Sequence, residues 1–319
     1  MIIIFIIYCI LILWLFDITE KDNDKNFKVS HKQDIIINHS SDLSDLLVTI
    51  DSIKSQTYQS KKINLIIFDF SHEDIKSILK LYENVFFKIN VIKSSNFEIG
   101  DHYLDLDERI MIADEVLIIK SGMSLPNSMI QELSNLLLQG NNSAFLIPMI
   151  YICSQRKNIF LQLFHSFFTM LKLSSINKGI INKIDLYRDC LIIKRNIFME
   201  ILSNNYSNLS VRGVLNCGVY IDEKDLSISS QSMLKSFYIV YACINLLFIS
   251  AITMFVNAPS IYLLLAILIK IIPEAIIVYS YYNRLKIKFP KIDFIVYLMI
   301  IPFYLFIIIF NNRKLILGR

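Results

Sequence analysis

The chain has 319 residues, 54% of them hydrophobic, and its 32 Lys and Arg against 28 Asp and Glu leave a net charge of +4. Charges of both signs are interspersed with no long run of one, which excludes a nucleic-acid binder held by phosphate contacts. A mean hydropathy of +0.50 excludes an ordinary soluble domain unless the apolar excess is segregated, and it is. Residues 1–16 carry no charge and 237–310 only a handful, while 17–236 have ordinary charge density and room for one medium-sized core.

Residues 1–16, MIIIFIIYCILILWLF, are short for a span of about 20 residues. No basic residue precedes them and DITEKDND follows without a small-x-small cleavage site, so a retained anchor is favoured over a signal peptide. Residues 17–33 read as a linker. In the next part, residues 34–37 (DIII) and 63–68 (INLIIF) are short β-rich runs of the kind buried in a parallel sheet. Between them Leu43, Leu46, Leu47, Ile50 and Ile53 form a helical stripe over 43–56, with Ser41 or Asp42 as N-cap. A helix over 75–82, a strand over 85–92, a helix over 104–113, a strand over 115–119 and a helix over 126–138 follow. This alternation predicts an α/β layered domain with a mainly parallel sheet, filling 34–236. Residues 155–173, dense in Phe and Leu between Arg156, Lys157 and Lys172, suit a helix at a membrane interface, and a core helix equally.

Three apolar segments close the chain, at 237–256, 261–282 and 292–310, before a basic tail at 311–319. Lys270 and Glu274, four residues apart on the middle segment, can pair while facing protein. Lys21, Lys25, Lys28 and Lys32 put the polar domain in the cytoplasm, and Arg284, Lys286, Lys288 and Lys291 put the 283–291 loop on the same side. Arg313, Lys314 and Arg319 would then end outside, so either the last segment turns back at Pro302 or the rule fails once.

Cys9, Cys153, Cys190, Cys217 and Cys243 form no CxxC or other metal spacing and read as small buried hydrophobes. The seven glycines make neither GxGxxG nor a P-loop. His31, His39, His72, His102 and His165 form no HExxH, although His39 and His72 fall at the ends of the first two strands and can converge at one rim. Asp105 and Asp107 spell a DLD within a predicted helix, which reads as one exposed turn.

LLVTIDSIKSQTY, KINLIIFDFSHED, DEVLIIKSGMSLPNSMIQEL, QRKNIFLQLFHSFFTMLKL and the ending IIPFYLFIIIFNNRKLILGR, taken in order, resemble the family 2 glycosyltransferases. These are membrane-bound enzymes that move a sugar from a nucleotide diphosphate donor. The resemblance covers nearly the whole chain and implies a GT-A-like α/β domain with one N-terminal and about three C-terminal transmembrane helices. It also implies a multi-pass protein of the inner (plasma) membrane in an envelope pathway.

The resemblance assigns roles position by position, and most positions have changed. The family's metal motif, whose carboxylates hold Mg or Mn against the diphosphate, falls on Lys120, Ser121 and Gly122, so no metal cofactor is expected. Lys120 can meet a diphosphate only as a point charge. Laying the acceptor-base motif on Leu209, Arg212 and Gly218 puts its acidic pair on Asn205 and Tyr206, and neither side chain is a useful base near neutral pH. Gln231 survives from the last motif, with Leu234 and Lys235 in its Arg and Trp places, which leaves Gln231 as the acceptor-side candidate. Asp69 matches the residue that contacts the nucleoside, Phe70 replaces its neighbour, and Ile36–Asp42 replaces the entry loop. The nucleotide-binding candidates are therefore Asp69, Lys120 and Ser121. Expected partners are membrane lipid, a nucleotide-sugar and envelope-biosynthesis proteins, not nucleic acid. Losing metal, base and last-helix motifs together implies a non-catalytic binding or scaffolding relative. The alternative is an active, metal-independent transferase using a polysaccharide or lipid acceptor.

Overall fold

The computed structural model describes residues 2–16, 31–40, 42–71, 74–93, 110–139, 145–152, 159–177, 190–202, 211–221, 232–284 and 288–311. They fall into two compact units, one made of residues 20–155 and 175–225, the other of residues 1–19, 156–174 and 226–319.

The first unit is an α/β layer built on seven strands: β1 (Gln33–His39), β2 (Ile63–Asp69), β3 (Lys88–Lys93), β4 (Glu115–Lys120), β5 (Phe145–Ile152), β6 (Leu191–Lys194) and β7 (Val211–Ile221). Their spatial order is β3-β2-β1-β4-β6-β5-β7. β3, β2, β1 and β4 run parallel, β6 is antiparallel to both β4 and β5, and β5 is parallel to β7. Every residue of β1 and β2 is buried, as the continuous runs of Ile and Leu require when both faces of a parallel sheet are covered. β3 lies at the sheet's edge, and its Lys88 and Lys93 are exposed.

Helix α2 (Leu43–Lys54) buries Leu46, Ile50 and Ile53 of the stripe read from the sequence, and leaves its Leu43 and Leu47 partly exposed. Asp42 stands at its N-cap, but the bond made there is from the Asp45 amide to the Asp42 carbonyl (3.0 Å), not from the side chain. Gln56 ties the end of this helix to α4 (Met129–Gln139): Nε2 donates to the carbonyls of Ser52, Leu125 and Pro126, and Oε1 accepts the Ile130 amide. A second polar staple crosses three strands. Asn90 donates to Asn64 Oδ1 (3.1 Å), Asn64 donates to Asp34 Oδ1 (2.7 Å), and Asp34 Oδ2 accepts the amides of Ile112 and Ala113, both at 2.9 Å. Asp34 thereby fixes the segment that leads into β4.

Several expectations change. The helix expected over 104–113 is absent from its described end: Ile110–Ala113 is turn and extended chain, held by Asp34, and the rest lies outside the described residues. The helix over 75–82 shortens to α3 (Lys76–Leu79) plus one 3-10 turn. β3 begins at Lys88 rather than at residue 85, because the amides of Val85 and Phe86 bond to the Tyr82 carbonyl and close that turn. Similarly, α4 begins at Met129, since the Met129 amide closes a turn on the Pro126 carbonyl. The antiparallel strand β6, with β5, β7 and α6 (Arg195–Leu202), went unassigned in the sequence reading.

The second unit is helical: α1 (Ile2–Leu15), most of α5 (Ile159–Asn177), α7 (Ser232–Asn257), α8 (Ile261–Arg284) and α9 (Lys291–Asn311). Two segments are long and apolar enough to cross a membrane, Val240–Asn257 and Ile261–Arg284, and only 33% of either is buried. Apolar helices that leave two thirds of their residues outside a core suit a lipid surround better than water. The expectation of one N-terminal and three C-terminal spans is thus corrected to two among the described residues. At 14 residues α1 is about 21 Å long, against a hydrocarbon core of about 30 Å. The side chains of α9 are described only as far as Ile301, and its helix continues through Pro302 to Asn311, so the chain does not turn back there. In α5 the described side chains are mostly buried, and Phe167 and Phe168 pack on Tyr241 of α7 at 5.1 and 5.4 Å between ring centres. Lys270 and Glu274 form the expected pair at 2.9 Å, both buried.

Candidate functional site

The connection from β1 leads to β2 on one side, and the chain later returns to place β4 on the other. Such a switch point opens a crevice beyond the carboxyl ends of the two strands, where ligands of open α/β sheets bind. Here those ends are Asn38 and His39 of β1, Lys120 of β4 and, one strand away, Asp69 of β2.

The turn leaving β4 is closed by the Met123 amide on the Lys120 carbonyl at 3.3 Å. Gly122 sits in it with φ 89°, the value needed at the third position of a type II turn and costly for a side-chain-bearing residue. The Ser121 amide donates to the Asn38 carbonyl and the Gly122 amide to the Asp45 carbonyl, both at 3.0 Å. The turn is therefore clamped between the end of β1 and the first turn of α2. At the β2 end, the Phe70 amide donates to the His39 carbonyl at 2.8 Å. Asp69 Oδ1 accepts both the Ser71 amide (2.9 Å) and the Ser71 hydroxyl (2.6 Å), a local turn that fixes the carboxylate. Its second oxygen, Oδ2, has no hydrogen-bond partner among the described residues. Asp69, His39 and Ser121 are buried, whereas Lys120 and Phe70 are partly exposed.

All three nucleotide-binding candidates therefore lie at one end of the sheet. Asp69 pairs with His39, and Lys120 pairs with Asn38. Successive residues on a strand face opposite ways, so Asp69 and Lys120 belong to opposite faces. Asn205, Tyr206, Gln231 and His72 lie outside the described residues. Arg212 and Gly218 fall in β7, where the pairing with β5 jumps from Pro148↔Val214 to Met149↔Gly218. The sequence reading did not single out Asp45, a residue only 7% exposed whose backbone meets Gly122. Its signal was positional: an acid in the first turn of the helix after β1 belongs beside the switch point.

A divalent cation does not fit this turn. An ammonium, a hydroxyl and a glycine offer it no carboxylate. A separate cleft of about 530 Å³ lies at the other end of β4, lined by Asp114, Glu115, Lys194 and Arg195 among others. There the Arg195 amide donates to the Asp114 carbonyl at 2.8 Å, and burial pushes the Glu115 carboxyl above its ordinary range.

No family model matches the chain, and no curated protein matches it in sequence. Among solved structures it is similar to GalNAc-T7 with UDP, GalNAc and Mn²⁺, at a TM-score of 0.40 and 10% identity. The match covers 60% of this chain and 44% of that one, so this chain spans less than half of the solved protein.

Proposed function

We propose that this chain is a membrane-bound, glycosyltransferase-like protein whose α/β unit binds a nucleotide-sugar at the carboxyl ends of β1, β2 and β4. In this reading it lacks standard metal-dependent transfer and serves as a binding or scaffolding component of envelope glycan assembly. The family 2 resemblance supplies the ligand class and the inner membrane, and the apolar helices Val240–Asn257 and Ile261–Arg284 support a membrane location. The observation that carries the reading is the pair of strand ends. Asp69 is kept and held in a fixed orientation with one oxygen unengaged among the described residues, while the turn after β4 holds Lys120, Ser121 and Gly122 in place of carboxylates. A donor nucleoside can be recognised by the first, but a metal-bound diphosphate finds no ligands at the second.

An active, metal-independent transferase is the second reading, favoured by the partly exposed Lys120 at the switch point. Its ammonium would carry the charge that a cation carries elsewhere. Both readings are tested by titrating UDP- and GDP-sugars into the purified protein in detergent, with and without Mn²⁺, for wild type, Asp69→Ala and Lys120→Ala, and by assaying release of free nucleotide. Metal-independent binding lost in Asp69→Ala, without turnover, supports the binding role. Turnover abolished by Lys120→Ala establishes the transferase. Absence of any nucleotide-sugar binding by folded protein refutes both.

A further inference from the structure

The helical unit contains a polar centre that the nucleotide reading does not use. Lys270 Nζ of α8 lies 2.9 Å from Glu274 Oε2 and donates to Asn245 Oδ1 of α7 at 2.9 Å. Asn245 Nδ2 in turn donates to the Tyr241 carbonyl at 2.7 Å. Glu274 also accepts the Tyr241 hydroxyl on Oε2 at 3.2 Å and, on Oε1, the hydroxyl of Tyr8 from α1 at 2.6 Å. Lys270 rests over the Phe248 ring, 4.5 Å from its centre. Lys270, Glu274, Asn245 and Tyr241 are all at most 1% exposed, so each polar contact is made out of reach of water.

Helix α1 meets this centre along a narrow seam. Phe5, Tyr8, Ile12 and Phe16 are buried, spaced three, four and four residues apart. Its other faces, including Ile3, Ile7, Ile10 and Trp14, are exposed. The seam is mainly aromatic and holds the one polar group of the helix that reaches Glu274, while the outer faces are mostly aliphatic. On α8, Ala266 is fully buried on the same side as Lys270 and Glu274, and a small residue there lets a neighbouring helix approach closely.

We infer that Glu274 is the recognition centre of a helix-docking surface on α7 and α8, and that its occupant is this chain's own N-terminal helix, selected by Tyr8. The aromatic seam of α1 faces this surface, while its outer faces stay exposed. The Tyr8–Glu274 bond gives the helix a partner that a passive anchor or a leader lacks. The Lys270–Glu274 pair is made within α8 itself and needs no group from α1. The inference stands apart from the nucleotide reading and does not need any ligand to bind.

The test keeps the full chain. A protease site placed within residues 17–30 is cut after the protein has been purified in detergent or nanodiscs, and retention of the N-terminal fragment is followed through size exclusion under increasing detergent. The fragment is expected to remain with its own chain in the wild type. Tyr8→Phe, which keeps the ring, is expected to speed its loss roughly three- to tenfold. Glu274→Gln should act in the same direction, and Ile10→Val on the exposed face should not. Release of the wild-type fragment on cutting overturns the inference. So does equal retention by Tyr8→Phe, or retention that depends on a second copy when tagged and untagged cut chains are mixed.

Discussion

Asp69 stands directly opposite His39 at the ends of β2 and β1, whereas Lys120 stands one position back, opposite Asn38. The pleat turns that single step into a change of face. A base held by Asp69 and a diphosphate held by Lys120 would thus meet the protein on different sides of the sheet rim. The two contacts are separable, and neither side chain can substitute for the other.

Separable contacts give separable effects. Asp69→Asn is expected to weaken uridine and UDP alike by about tenfold, since it removes the charged carboxylate that Ser71 holds at the end of β2. Lys120→Ala is expected to weaken UDP but leave uridine unchanged, because an ammonium recognises phosphate charge. In the double variant the two losses should add, as they do for sites without shared partners. Calorimetric titration of the four proteins with both ligands checks this. A loss of uridine affinity in Lys120→Ala would put the two residues in one contact set.

Gly122 carries the turn that leaves β4. At φ 89° a Cβ is strained, so Gly122→Ala should destabilise the α/β unit by about 1–2 kcal/mol. It should also loosen the link from the Gly122 amide to the Asp45 carbonyl. Thermal melts followed by circular dichroism, with hydrogen exchange of the amides at 121–123, measure both. An unchanged melt would mean that the turn relaxes at no cost.

The central strands were legible because Ile-rich runs bounded by polar residues have few alternatives to a buried parallel strand, and Ile35–Ile37 and Leu65–Phe68 are indeed wholly buried. The helix α2 was legible from its stripe. What was missed has a common cause. β6 is four residues long and runs straight into α6, too short to show any period, and β5 contains Pro148 where the pairing with β7 jumps. At the candidate site, Asp69 and the Lys120 turn were assigned through the family resemblance. The face each belongs to depends on register across three strands, which no local pattern carries. The same holds for Asp45, and for Tyr8, whose partner lies 266 residues away.

Burial raises the carboxyl of Glu115, the first residue of β4, with lesser opposing effects from Ser134 and Lys194. A carboxyl with a raised folded value binds its proton more tightly folded than unfolded. It therefore supports the fold at low pH and loses that contribution as pH rises from the ordinary carboxylate range through the raised value. Glu115→Gln is neutral at every pH. It is expected to be more stable than the wild type at pH 7 and close to it at pH 4, as read from thermal melts at the two values. Greater loss than gain at pH 7 would show that Lys194, paired opposite Glu115 in β6, holds it as a stabilising carboxylate.

Gln56 joins two helices of the α/β unit through one buried side-chain amide. It is 7% exposed, and its amide serves the carbonyls of Ser52, Leu125 and Pro126 and the Ile130 amide together. These groups belong to the end of α2 and the start of α4, where helix termini leave donors and acceptors unmatched. Because α2 also carries the Asp45 carbonyl that clamps Gly122, Gln56 supports the rim from behind. Gln56→Ala strands buried backbone groups and is expected to cost about 2–3 kcal/mol. Gln56→Glu keeps the acceptor for Ile130 but removes the donors to three carbonyls, and should cost at least as much near neutral pH. Urea or thermal unfolding of the three proteins ranks them. If Gln56→Ala melts with the wild type, water has replaced the amide, and the rim must take its order from the strands alone.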